Sequence, residues 1–398
     1  MLSAFAVYAV AFVARPVGGL IFGYMLDRIG RVKVLAMTIW LMAMGTAAIG
    51  LIPTYESIGL AAPLLLVICR LAQGFAVGGE ITGSTTFILE SAPAGRRGTW
   101  VGIIYFFANI PNALVALMLL SMQLLIGKET YLEWAWRVPF LLGGLIGIIG
   151  YWLRRNLEDP EEYKRASRTV ESRNPLRAVT RSGVRSMLYV AMILPVQSVA
   201  SYLLLGFMYT FLVKQVGLDS TSALLANAAG IVAYAIFIPI GGALSDRFGR
   251  KKVLSVGALW IGVLAYVSVR LAANGSLLEA VAGQVILGIG IGLYGGACFV
   301  TCAEFFPTSF RATGHAIAYQ LTVAVLGGTA PLVCAWLINV FHSPFAPGWY
   351  VAVVALVNIV LIQFVPETKE VDLRTSIDSA PPAVRSSQGV GPVLRDLK

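Results

Sequence analysis

A chain of 398 residues that is 58% hydrophobic and 13% charged, with a mean hydropathy of +0.79, is too apolar for a water-exposed surface; a soluble domain carries about 25% charged residues. The net charge of +10 does not point to nucleic acid, because the basic residues lie between apolar blocks and build no soluble basic domain. Cys69, Cys298, Cys302 and Cys334 all fall inside apolar segments and read as small buried hydrophobes, so no metal site and no cofactor is expected.

Apolar blocks of about 20 residues, the length that crosses roughly 30 Å of hydrocarbon, recur along the whole chain. They predict eleven transmembrane helices, at about 4–26, 33–52, 62–88, 99–126, 137–154, 186–213, 222–244, 253–272, 277–303, 314–341 and 347–364. Continuous apolar runs, rather than alternating ten-residue stretches, exclude a β-barrel. The expected fold class is an all-α polytopic membrane protein. Met1 is followed at once by apolar residues with no basic stretch, so no cleavable signal peptide is expected.

The connections set the orientation. Arg28, Arg31 and Lys33 follow the first span, Arg96 and Arg97 the third, Arg247, Arg250, Lys251 and Lys252 the seventh, and Arg311 the ninth. The opposite set holds only Lys128, Arg137, Lys214 and Arg270. Excess Lys and Arg mark the cytoplasmic side, which places the C-terminus in the cytoplasm and the N-terminus outside. A polar, basic connection at 156–185, with a short surface helix expected over Leu157–Arg168, separates two bundles at 1–155 and 186–364. The tail 365–398, with Pro381, Pro382, Ser386, Ser387, Gly389 and Pro392, has a composition that favours disorder.

The two halves carry a shared frame. Gly23, Asp27, Arg28, Gly30 and Arg31 have the form G-x-x-x-D-R-x-G-R, and so do Gly242, Asp246, Arg247, Gly249 and Arg250. Two spans after each copy, a glutamate precedes an arginine by seven residues: Glu90 with Arg97, and Glu304 with Arg311. Parallel duplicated halves mark one class of secondary transporter.

On these motifs the chain resembles the major facilitator superfamily, whose signature loops have the same frame. The run from Arg70 through Gln73 and Gly74 to Gly78, Gly79 and Glu80 resembles its fourth-helix signature. Arg15 with Pro16, Gly18 and Gly19, the run Trp136, Arg137, Pro139 and Phe140, and Pro366, Glu367 and Thr368 resemble the metabolite:proton symporters. That group carries small organic acids and zwitterions. The resemblance implies two pseudo-symmetric helical bundles that rock around a central site. It also implies a conformational latch at the loop motifs, made by Gly23, Asp27, Arg28, Gly30, Arg31, Glu90, Arg97, Gly242, Asp246, Arg247, Gly249, Arg250, Glu304 and Arg311. There are departures. Val32 replaces a basic residue frequent in the first motif, and the first span matches the family's second helix. The family's first helix, with its Glu-Trp-Tyr-Asp-like cluster, has no counterpart, which implies a misassigned start or a truncated gene.

Charges at mid-membrane are costly and usually face a cavity. Arg15 lies twelve residues before Asp27, about 18 Å along a helix, and suits a carboxylate. Arg70, Gln73 and Glu80 fall on one face of one helix within about 80°. Burial favours a neutral Glu80 and a nearby Arg favours a charged one, so Glu80 is a candidate proton carrier; the alternative is a permanent structural pair with Arg15 or Arg70. In the second half Gln197, Tyr202, Tyr209, Asn227, Tyr234, Tyr319, Gln320 and Asn358 are candidate cavity residues. Gly290, Gly292 and Gly295 form a G-x-G-x-x-G within an apolar span, with no preceding strand, so a dinucleotide site is not expected. No ATP-binding loop motif is present, and His315 and His342, the two histidines, join no Ser/His/Asp set, so an enzyme is not expected. The reading is a secondary active transporter, acting as a proton symporter of a small organic acid or related metabolite. It is expected as a monomer embedded in lipid in a bacterial-type inner membrane, with no nucleic-acid partner. The alternatives are a uniporter or exchanger, and a transport-inactive truncated membrane protein or sensor.

Overall fold

The computed structural model describes residues 2–168 and 174–374, with side chains from residue 12 onward except those at 123, 124 and 128. Eleven long helices appear among them: α1 (Leu2–Ile29), α2 (Arg31–Leu51), α3 (Ala61–Ser91), α4 (Arg97–Ile126), α5 (Arg137–Arg154), α6 (Pro175–Val216), α7 (Ser220–Phe248), α8 (Arg250–Ala272), α9 (Leu277–Glu304), α10 (Arg311–Phe341) and α11 (Ala346–Gln363). Ten of the helices in the described residues are long and apolar enough to cross a membrane, and α1 is the further long helix. The sixth span begins earlier than its apolar run suggests, because the basic stretch from Pro175 is already helical. The expected surface helix over Leu157–Arg168 shortens to Glu161–Ala166 after Pro160. The tail does not begin at 365: Val365 and Leu373 are buried, and residues 365–374 pack against the bundle, while 375–398 lie outside the described residues.

The elements follow from local chemistry. Gly30 and Gly249 have φ of +117° and +100°, which glycine adopts without steric cost, and they turn the chain sharply from α1 into α2 and from α7 into α8. Asp219 caps α7 by accepting from the Ser222 amide at 2.9 Å. Pro16, Pro111, Pro195 and Pro239 lie inside α1, α4, α6 and α7, positions that membrane-spanning helices tolerate. Single π-helical turns at Leu203–Phe207 in α6 and Val323–Gly327 in α10 widen those helices.

The packing repeats across the halves. α1 packs on α3 as α7 packs on α9, and α2 packs on α5 as α8 packs on α11. The halves meet reciprocally, α1 on α10 and α4 on α7. α6 packs against α9, α10 and α11, and no helix among the described residues takes the equivalent place in the first half. The main hydrophobic core accordingly sits in the second half: the apolar windows of α6 and α9 are 67% and 78% buried, those of α4 and α5 11%.

Candidate transport site

Polar side chains gather in two places, a cluster at the arginine-rich end of the bundle and a cavity between the halves. At the arginine-rich end, Asp27 accepts from the Ala312 and Thr313 amides at 3.2 and 2.8 Å and from the Thr313 hydroxyl at 2.6 Å. It thereby caps α10 of the opposite half, where the helix N-terminus carries partial positive charge. Asp246 does the same for α4, accepting from the Gly98 and Thr99 amides at 2.8 Å each and from the Thr99 hydroxyl at 2.8 Å. Arg31 binds Asp27 at 2.6 Å and Glu90 at 3.0 Å; Arg250 binds Asp246 at 2.7 Å and Glu304 at 2.9 Å. All these charged groups are buried, and each has the partner that a buried charge requires.

The repeat is not exact. Arg311 crosses to Glu90 at 2.9 Å, whereas its counterpart Arg97 donates to the Val371 carbonyl at 3.0 Å, and Glu304 accepts from Thr368. Arg28 and Arg247, expected in the latch, do not bridge the halves: both are exposed and each lies over a ring of its own helix, Tyr24 and Phe248. Gly23 and Gly242 permit the close approach; a Cβ on Gly242 would lie 2.1 Å from the Gly98 carbonyl oxygen, and one on Gly23 3.0 Å from that of Ala312.

Two further carboxylates complete the symmetry: Asp159, which belongs to none of the sequence motifs, and Glu367, which enters them only as part of the Pro366-Glu367-Thr368 resemblance. Asp159, after α5, accepts from the Val32 amide at 2.8 Å, and Glu367, after α11, accepts from the Arg250 and Lys251 amides at 2.8 and 3.1 Å. Each carboxylate caps the helix that starts after the positive-φ glycine. The chain beyond Glu367 continues as a strap. Leu373 accepts from Thr308 and Arg311, and Arg374 pairs with Glu162 at 2.8 Å, which holds the Glu162 carboxyl below the usual carboxylate range.

The cavity has a volume of about 490 Å³, enough for a small metabolite. α3, α4 and α5 line one side and α6, α7, α9 and α10 the other. Glu80 and Arg154 are the charged residues of its wall, and they form an ion pair with each other. Glu80 also accepts from Thr38 at 2.5 Å and from Ser84 at 3.3 Å. Tyr105, Tyr202, Tyr234 and Tyr319 face them with Gln197 and Ser198. The Gln197 side-chain oxygen and the Ser198 hydroxyl are buried without a hydrogen-bond partner. Unsatisfied polar atoms in a cavity wall are what a ligand would complete. The π-helical turns of α6 and α10 border this cavity at Leu205 and Val323.

The other predicted residues lie elsewhere. Glu80 pairs with neither Arg15 nor Arg70. Arg15 stacks over Phe12 and donates to the Tyr202 hydroxyl at 2.7 Å, so it reaches the cavity only through that tyrosine. Arg70 donates to Gln73 at 3.1 Å and Gln73 to Thr46 at 2.7 Å, a full two turns from Glu80 along α3. Asn227 is tied to Gln284 at 2.9 Å and Gln320 to the Gly78 carbonyl at 2.9 Å; both are interhelical clamps outside the wall. Tyr209 binds Ser220, and Asn358 accepts from Tyr294. Gln197, Tyr202, Tyr234 and Tyr319 do line the cavity.

The sequence matches the Major Facilitator Superfamily over residues 2–225 and again over 190–396. The chain belongs to that superfamily. It is 32% identical over 391 residues to the glycine betaine/proline/ectoine/pipecolic acid transporter of Dickeya dadantii (strain 3937) and, equally, to the proline/betaine transporter of Escherichia coli (strain K12). Each alignment covers 96% of this chain and 78% of the relative. Among solved structures, the proton:xylose symporter XylE superposes with a TM-score of 0.76 at 20% identity, covering 93% of this chain and 88% of that one. The E. coli fucose:proton symporter superposes with a TM-score of 0.70 at 14% identity, covering 92% and 91%. The protein is thus an integral membrane transporter of this superfamily and not an enzyme, as the repeated loop motif implied.

Proposed function

We propose that the chain is a proton-coupled symporter of a small zwitterionic metabolite, working by alternating access between the bundles 1–155 and 186–364. The residues 156–185 would tether the bundles. The observation that carries this reading is the cavity between the halves, whose charged wall residues are one carboxylate, Glu80, and one guanidinium, Arg154. A carboxylate there can carry the coupled proton, and charges at this depth are retained for function. The expectation of an organic acid widens to a zwitterion for two reasons. The relatives' named substrates, glycine betaine and proline among them, each pair a carboxylate with a cationic nitrogen. The wall supplies matching chemistry: an arginine for the carboxylate, and for the cation a free Gln197 oxygen and tyrosine rings. The charge of the arginine-rich end supports a cytoplasmic orientation for it, with the C-terminus inside and the Asp27 and Asp246 contacts acting as a cytoplasmic latch.

Uptake of labelled glycine betaine and proline by proteoliposomes, with and without an inward proton gradient, tests this. Accumulation that requires the gradient is expected, and Glu80→Gln should abolish accumulation while counterflow exchange persists. Equal accumulation with and without the gradient would make the protein a uniporter or exchanger.

A further inference from the structure

We infer that Glu80 is an internal stand-in for the substrate's carboxylate, and that Arg154 is the carboxylate-binding site which protonation of Glu80 releases. This rests on the symport reading above and specifies how its two ligands depend on each other.

The argument starts from Thr38. Its hydroxyl lies 2.5 Å from Glu80 Oε2 and 3.0 Å from the Leu35 carbonyl oxygen, yet it has one proton to give. While Glu80 is ionised, that proton goes to the carboxylate. When Glu80 is neutral, its own O–H can donate to Thr38 Oγ1 and the threonine proton turns to Leu35. Both protonation states of Glu80 therefore have a hydrogen-bond partner in place.

Arg154 has only a weak alternative: among the described residues both its contacts run through Nη1, to Glu80 and, at 3.4 Å, to the Leu35 carbonyl. Neutral Glu80 leaves the guanidinium beside the cavity without a compensating charge, and its Nε and Nη2 donors present a fork that fits a carboxylate. The pair is accessible from the cavity, with side chains 18% and 29% exposed. The other titratable groups in the wall are tyrosines: Tyr105 from α4, Tyr202 from α6, Tyr234 from α7 and Tyr319 from α10. α2 brings Thr38, and the Arg15 side chain of α1 is directed to Tyr202. Among the described residues no second carboxylate lines the wall to replace Glu80.

The coupling follows. A proton on Glu80 without substrate leaves an uncompensated arginine, and a substrate carboxylate without the proton meets an occupied one. Each ligand raises the affinity for the other, as linkage requires.

Binding of labelled glycine betaine to the purified full chain, at about pH 4 and about pH 8, on either side of the ordinary carboxylate range, tests the assignment, with choline as a probe that lacks the carboxylate. Wild type should bind glycine betaine more tightly at the lower pH. Glu80→Gln should bind it about 10-fold more tightly than wild type at the higher pH, with little pH dependence, because glutamine does not hold the guanidinium as an ion pair. Arg154→Gln should lose about 30-fold or more of glycine betaine affinity, with Arg154→Lys intermediate. Choline binding should be kept or tightened by Arg154→Gln, since Glu80 then lacks its cationic partner, and this binding also shows that the variant is folded. Glycine betaine binding that is indifferent to pH and to Arg154→Gln overturns the inference and leaves the transport reading standing. Failure of wild type and Glu80→Gln alike to bind glycine betaine or proline overturns both.

Discussion

Arg311 donates to Glu90 across the interface between the two halves at 2.9 Å, and both side chains are fully buried. The same glutamate oxygen accepts from Arg31 of its own half at 3.0 Å. Removing the Glu90 charge therefore strips two buried guanidinium groups of a partner at once. Glu304, its counterpart, holds Arg250 and Thr368, both of its own half. Glu90→Gln should open the arginine-rich end, read as longer distances between spin labels on α5 and α11. Glu304→Gln should lower thermal stability with little opening. Breaking a buried pair costs about 3 to 5 kcal/mol, ample to invert a two-state equilibrium whose gap is a few kcal/mol. Equal opening in both variants would show that the asymmetry has no energetic content.

Asp27 and Asp246 hold the halves together by a different device, since each caps a helix of the other half rather than meeting a charge there. Asp27→Asn and Asp246→Asn should each weaken closure by about 1 kcal/mol from the lost cap. The ion pair that each makes with Arg31 or Arg250 adds to this. Thr313→Ala removes one hydroxyl donor to Asp27 and should act in the same direction with smaller effect. Transport rates should change while the ratio of glycine betaine to proline uptake does not, because both aspartates lie outside the cavity wall. A changed ratio with unchanged opening would place them in substrate recognition instead.

How much of this was legible beforehand depends on whether a contact leaves a periodic trace. The apolar blocks and the G-x-x-x-D-R-x-G-R repeat did, so the helices, the halves and the pairing of Asp27 with Asp246 could be read from spacing. Glu80 was legible as an isolated charge deep in α3. Its partner was not: Arg154 ends α5, and an arginine at a helix end looks like a loop residue until the side chain is seen turning back. Asp159 was hidden for a similar reason, and Glu367 was visible only as part of a motif without its role, since a carboxylate that caps a helix more than a hundred positions away leaves no periodic trace of that contact. Asn227 and Gln320 misled in the opposite direction, because a buried amide that clamps two helices has the same composition as one that faces a ligand.

Close approach of α4 and α7 depends on having no side chain where they touch. Gly242→Ala would drive its Cβ to 2.1 Å from the Gly98 carbonyl, and Gly98→Ala would bring its own to 2.5 Å from that of Gly242. Backbone cannot yield as a side chain can, so either variant should hold the arginine-rich end apart and cut turnover by about 10-fold or more, as overpacking costs of about 1 to 3 kcal/mol imply. Gly262→Ala is the control, since its Cβ would meet only the Leu356 and Ala355 side chains at 3.3 to 3.6 Å. Labelling of engineered cysteines at the open end should rise for the first two and not for the third.

The strap of residues 365–374 is fastened at its far end by Arg374 and Glu162, both outside the membrane-spanning helices. The hydrogen bond from Arg374, opposed by some desolvation, holds the Glu162 carboxyl below its ordinary value, and Glu162 correspondingly raises Arg374. A carboxyl lowered in the docked state stabilises docking fully above its undocked value of about 4.3. It gives up that stabilisation as pH falls through the lowered value. The Thr308 amide, which donates to the Leu373 carbonyl at 2.8 Å, reports docking through its hydrogen-exchange protection. After correction for intrinsic exchange, wild-type protection should be level from about pH 8 to about pH 5 and decline below about pH 4. Glu162→Gln should give lower protection throughout, without the decline assigned to this carboxyl. The strap's other ties, among them Arg311 and Thr308 to Leu373, Arg97 to Val371, Thr368 to Glu304 and Glu367 to the Arg250 amide, do not involve this carboxyl. If wild type and Glu162→Gln traced the same curve, those ties alone would hold the strap, and the exposed pair would contribute nothing measurable, as many surface ion pairs do.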